Sequence, residues 1–220
     1  VEIQAASLAF FVGTLAMVWF YTMKTSVYFF IGAGFLGAGI LDLYHAIQVV
    51  PLSSFLFPTT DPLTSWHWNV SPTFLSLLMA GSWIIWQRNK RLGEQTRQYY
   101  FIVIFVAVAS LVFFAFIPQP PINSSDYLPG RVIAILNTSF FLVALIGYLH
   151  KGEWRHDSFE NWLIIALIVN VLTQGLFMFF AQTLFDGLFD TAVLLKQVGY
   201  LFVLIGLLSN MYTHFKEVEH

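Results

Sequence analysis

The chain has 220 residues, of which 58% are hydrophobic and only 10% charged, and its net charge is −2. An average soluble domain carries about 25% charged residues, so this chain has too few to cover a water-facing surface and lipid must be its solvent. The weak net charge gives no bulk attraction to nucleic acid, and the absence of cysteine excludes disulfides, thiolate metal sites and cysteine nucleophiles.

A helix needs about 20 mostly apolar residues to cross a bilayer. Seven segments qualify, at roughly 4–23, 26–49, 66–87, 99–117, 130–150, 161–182 and 190–213. The breaks carry punctuation: Pro51, Pro58 and Pro62 after the second segment, and Pro118, Pro120, Pro121 and Pro129 after the fourth. The reading is an all-α integral membrane protein, a seven-transmembrane helix bundle over 1–213. The last segment runs without a clear stop into residues 214–220. The chain opens at Val1 with no start methionine and no basic leader, as a piece of something longer would, and a further helix before Val1 is left open.

Basic residues orient the bundle. Lys24 follows span one, Arg88, Lys90, Arg91 and Arg97 follow span three, Lys151 and Arg155 follow span five, and Lys216 follows span seven. These are alternate connections, so all belong on one side, which the positive-inside rule makes cytoplasmic. The other connections hold Asp61, Asp126, Asp186 and Asp190, with Arg131 the main basic exception. The N-terminus is expected outside and the C-terminus inside.

With orientation set, polar residues of six spans fall at one depth in the outer third: Glu2, Asp42, His45, His67, Asn69, Asn137, Gln174 and Lys196. Lipid offers no hydrogen bonds, so the cheapest arrangement turns these groups inward. Lys196 should lie near a carboxylate, with Asp42 the first choice, since a lone charge at that depth is expensive. The cytoplasmic half looks poorer in polar groups. The layer suits a structural network of interhelical hydrogen bonds or a pocket for a small ligand. The number of ionisable groups favours the pocket, because Ser, Thr and Asn would glue helices at lower cost. Asp42-x-x-His45 puts two donors on one helix face. Glu2, His45 and His67 together would suit zinc or copper if they converge, although His67 between Trp66 and Trp68 also suits a membrane interface. Gly32, Gly34, Gly37 and Gly39 in span two permit close backbone approach by a neighbour.

Other chemistries find little support. There is no Gly-rich phosphate loop, Gly-x-Ser-x-Gly or His-Glu-x-x-His. Asp186 and Asp190 read as an outer turn, and His150, His156 and His214 as solvated or interfacial. A proton-coupled transporter would use the buried Asp and Lys as a relay, but the inner half lacks a matching path. A seven-span zinc-dependent hydrolase needs about three converging ligands. Lys196 on the seventh span would suit retinal, yet span three has no carboxylate as counterion.

Phe35-Leu-Gly-Ala-Gly-Ile-Leu-Asp42-Leu-Tyr-His45 resembles a segment of the third type of bacterial membrane-associated sensor domain. Leu194-Leu-Lys196-Gln-Val-Gly-Tyr200 resembles that family's last span, and Glu2 with the first apolar run its opening stretch. Trp68-Asn69-Val-Ser-Pro departs from the family's aromatic and arginine in span three. The resemblance implies a non-enzymatic input module of a bacterial inner membrane, with residues 214–220 starting a cytoplasmic helix toward an output domain beyond His220, a PAS, histidine kinase, diguanylate cyclase or phosphodiesterase domain. The expected function is therefore binding of a small-molecule or metal signal among Asp42, His45, His67, Asn69, Asn137, Gln174 and Lys196, relayed through the last helix. Expected partners are membrane lipid and a second copy of the signalling protein.

Overall fold

A computed structural model describes residues 2–49, 67–88, 96–116, 128–181 and 187–218. Among them run α1 (Glu2–Met23), α2 (Ser26–Val49), α3 (His67–Arg88) and α4 (Thr96–Phe116). They are followed by α5 (Leu128–Lys151), α6 (Ser158–Leu172) and α7 (Gly187–Val218). A single 3₁₀ turn, Glu153–Arg155, joins α5 to α6, and α6 continues as a π-helix over Thr173–Met178. The described residues contain no sheet. Five helices are long and apolar enough to cross a membrane: α1, α2, α5, α6 with its π-helical extension, and α7. The helices α3 and α4 occupy the remaining two segments expected from hydropathy, α4 as a shorter apolar stretch over Gln98–Ser110.

Helix contacts run α1 to α2 to α3 to α5 to α6 to α7, and α7 packs back on α1. Six helices thus close a ring. The odd one out, α4, lies outside it, chiefly against α3. Its outward residues Phe101, Ile104, Phe105 and Val108 are all large, apolar and exposed, as befits a helix whose solvent is lipid. The ring interior is aromatic: Phe35, Phe74, Phe141, Tyr148 and Tyr200 are fully buried. The Phe35 ring on α2 meets that of Tyr200 on α7 edge-on at 4.9 Å, a favoured aromatic geometry. Side chains, rather than adjacent backbones, join α2 to α7.

Small residues set how near the backbones come. On α2, Gly32 faces Met17 of α1, while Gly34 and Gly37 face Leu75, Leu78 and Phe74 of α3. Gly13 on α1 differs in what it meets, because a Cβ there would lie 2.8 Å from the backbone nitrogen of Leu36. Backbone cannot swing aside as a side chain can, so Gly13→Ala must push α1 from α2. We expect a loss of about 1–3 kcal/mol, as for other overpacked cores. Gly81→Ala is the control, since a Cβ there meets nothing within 4 Å and alanine favours a helix interior by about 0.5–1 kcal/mol. Thermal unfolding in detergent should separate the two variants in opposite directions.

The connections are short where they are described. The end of α1 is turned by Lys24 at φ 55°, in the left-handed region, with its N–H donating to the Phe20 carbonyl at 2.7 Å. Gly152 at φ 75° performs the same turn after α5. Asp157 then caps α6, its carboxylate accepting from the Phe159 N–H at 2.8 Å, which satisfies a donor that every helix start leaves open.

Candidate functional site

Antiparallel packing gives the bundle two polar ends. At one, α1 and α7 begin, and here α2 supplies Asp42 about two turns before its own end. On α7, Lys196 is about two and a half turns from Gly187. The Lys196 ammonium donates to Asp42 Oδ1 at 2.6 Å and to Ser71 Oγ of α3 at 3.4 Å. It also stands 5.7 Å from the Tyr200 ring centre, one turn further along α7. The side chains of Asp42 and Lys196 are 9% and 15% exposed, so water does little to screen them. This ion pair crosses the ring, joining two helices that do not otherwise touch through their backbones.

The described residues do not fully satisfy the pair. Among them Asp42 Oδ2 is buried with no hydrogen-bond partner. The Tyr200 hydroxyl is buried near Ser71 and Asp42 yet makes no hydrogen bond of ordinary geometry. Beside them is a cavity of about 30 Å³, lined among the described residues by Asp42, His45 and Lys196 with Pro72 and apolar groups such as Met178 and Phe189. A cavity of this size, mostly apolar but with charged groups at one wall, has room for a water molecule or a similarly small guest. It is far below the roughly 300–1,000 Å³ of a drug-sized ligand site, so a larger ligand needs the helices to part.

The other expected site residues divide into groups. Asn137 of α5 donates to the side-chain carbonyl of Gln174 at 3.5 Å, a long and weak bond. Both are buried, and Asn137 Oδ1 has no partner. Gln174 lies in the π-helical stretch, where one extra residue per turn re-aims side chains and which recurs at functional sites. Asn69 is buried at the start of α3, and its Nδ2 also lacks a partner. The side chains of Glu2 and His67 lie outside the described residues, so the proposed Glu2, His45 and His67 metal set lies outside them too. Among the described residues no three metal-binding side chains converge.

At the opposite end, where α7 finishes, the structure corrects the expectation of a polar-poor half. Lys151 is not a solvated loop base. Its side chain is 4% exposed and pairs with Glu160, 3% exposed, and with Glu153 at 2.7 Å. The Trp86 ring lies 4.5 Å from its ammonium. One oxygen of Glu160 is buried without a partner. Nearby, Ser82 of α3 hydrogen-bonds Tyr148 of α5 at 2.7 Å. Asn210 of α7 donates to both the Tyr28 hydroxyl and Asp157, each at 3.1 Å, and Ser209 meets Ser158 at 2.7 Å. His214 packs edge-on to Trp19 at 5.3 Å, whereas His150 and His156 are exposed. Glu160 carried one visible signal: it stands three residues past the Asp157 cap, where a carboxylate favours a helix N-terminus. Nothing in the linear pattern tied it to Lys151.

A family model described as membrane-associated sensor domain, MASE3, matches residues 1–212. No curated protein and no solved structure matches the chain.

Proposed function

The chain belongs to the MASE3 family of membrane-associated sensor domains, and on that premise we propose that it is a sensory input module switched at the Asp42–Lys196 ion pair. The module is a multi-pass protein of the bacterial inner membrane with all seven helices spanning, its N-terminus outside and its C-terminus in the cytoplasm. A small ligand or ion enters from the outer side, competes for Asp42 or Lys196, and releases the tether between α2 and α7. Opening of the 30 Å³ cavity, which His45 already lines, exposes the rest of the polar layer, Asn69, Asn137 and Gln174 included. The shift passes along α7 to a cytoplasmic output domain, a kinase or a cyclic-di-GMP enzyme.

The observation that carries this reading is the ion pair joined to an unbroken helix. Lys196 and the last turn of α7 belong to one element of 32 residues, about 48 Å long at 1.5 Å per residue. A helix that stiff turns a displacement at Lys196 into one at its far end. A ligand shifts such an equilibrium only by its differential affinity for the two arrangements. Competing for a buried ion pair supplies that difference, because one state has the pair and the other has the ligand.

The test uses the full-length protein with its native output domain. Asp42→Ala and Lys196→Ala should each fix output at one level and abolish its response to signal. The charge swap Asp42→Lys with Lys196→Asp should restore at least part of the response. Normal output and response in both single variants would dismiss the switch.

A further inference from the structure

We propose that the end of the bundle where α7 finishes holds a second binding site, and that its ligand is a small organic ammonium cation. A cavity of about 700 Å³ opens there among α1, α2, α3, α6, α7 and the turn after α5, within the range of sites that bind small organic molecules. Among the described residues its walls carry four carboxylates, Glu153, Asp157, Glu160 and Glu217, against one ammonium, that of Lys151, with two histidines besides. That ammonium is already engaged by both Glu153 and Glu160. The free charge that the described residues turn to the cavity is therefore negative.

Acidic lining alone would fit a merely solvated face, but Glu160 does not fit one. Its side chain is 97% buried, it lines the cavity, and among the described residues its Oε2 has no hydrogen-bond partner. A buried carboxylate oxygen left without a donor costs free energy, and an entering N–H group removes that cost. Aromatic faces from Tyr28, Trp86 and Phe159 stand in the same walls. Such faces attract organic cations over the ring, and Trp86 already holds the Lys151 ammonium in this way. A bare metal ion is the poorer fit, because no three metal-binding side chains converge among the described residues and the space far exceeds one ion.

The site also reaches the output helix. Asn210, Thr213, His214 and Glu217 of α7 all line it, so an occupant bridges the last two turns of α7 to α2 and α6. Binding there would hold the final segment of α7 in its present position.

Butylammonium chloride titrated into the full chain in lipid nanodiscs, followed by isothermal calorimetry, tests the proposal. Saturable heat is expected, with sodium chloride at matched ionic strength giving none. Glu217→Gln and Glu153→Gln lie at the exposed rim, and each should weaken the affinity about threefold to fivefold, the range of a part-exposed ion pair. The double charge reversal Glu153→Lys with Glu217→Lys should abolish binding. Gly81→Ala, where an added Cβ meets nothing within 4 Å, should leave the affinity unchanged. Heat that never saturates, equal heat from sodium chloride, or unaltered affinity in the double reversal would overturn the proposal.

Discussion

Alanine in place of either Asp42 or Lys196 is expected to destabilise the bundle by about 3–5 kcal/mol, the cost of stranding one member of a buried ion pair. The carboxylate and ammonium are 2.6 Å apart and nearly closed off from water. Removing Asp42 leaves an ammonium with Ser71 as its remaining hydrogen-bond acceptor, at a long 3.4 Å. Removing Lys196 leaves Asp42 with both oxygens short of donors, since Oδ2 has none now. The double variant Asp42→Leu with Lys196→Leu separates stability from switching. Desolvating two charges consumes most of what their attraction returns, so an apolar pair of similar volume is often neutral or stabilising by about 1–4 kcal/mol. The double variant should therefore unfold later than either single variant while signalling no better. Thermal unfolding in detergent together with output activity measures both. A double variant as unstable as the sum of the singles would mean that the two side chains act independently and that their pairing is not what either single variant loses.

The second large effect is expected at Lys151 and Glu160. Lys151→Ala leaves Glu160, 3% exposed, as an uncompensated charge and removes the cation from the Trp86 ring. We expect about 3–5 kcal/mol for this change or for Glu160→Ala. Glu153→Gln should cost no more than about 1 kcal/mol, because Glu153 is 50% exposed and a half-wet ion pair contributes little. The steep difference between two carboxylates on the same ammonium is the check. Equal losses from Glu153→Gln and Glu160→Ala would show that burial does not set the strength of this pair. The two ion pairs also differ in what they join. Lys151 and Glu160 lie on consecutive helices linked by a short turn, so their loss loosens one hairpin. Asp42 and Lys196 are 154 residues apart in sequence and bridge the ring.

Asn137 and Gln174 show where the linear reading reaches its limit. Both are buried, as polar groups with no water to bond should be. Their partnership with each other, rather than with the Asp42–Lys196 pair, depends on the π-helical turn at Thr173–Met178. That turn rotates Gln174 relative to an ideal helix, and no residue type in Thr-Gln-Gly-Leu-Phe-Met demands it. Lys151 shows the converse: a basic residue at a helix end counts toward orientation in sequence, but only the fold decides whether it points to water or back toward Glu160. The glycines of α2 were legible as packing residues, while Gly13, which makes a closer backbone approach, stood without a repeating pattern to mark it.

Sequence alone determined the solvent, the helical class, the seven helical segments and the need for an acidic partner to Lys196. Each follows from a cost that a single residue or a 20-residue run carries by itself: unpaired backbone in lipid, or a lone charge at depth. Tertiary structure decided which helices close the ring and which one stays outside. It also decided that Lys151 folds inward to Glu160, and that the space beside Asp42 is water-sized while the one beside Glu160 is ligand-sized. Those outcomes depend on side-chain shape and helix rotation summed over several elements at once. Many arrangements of seven apolar helices satisfy the same hydropathy, and close packing selects among them.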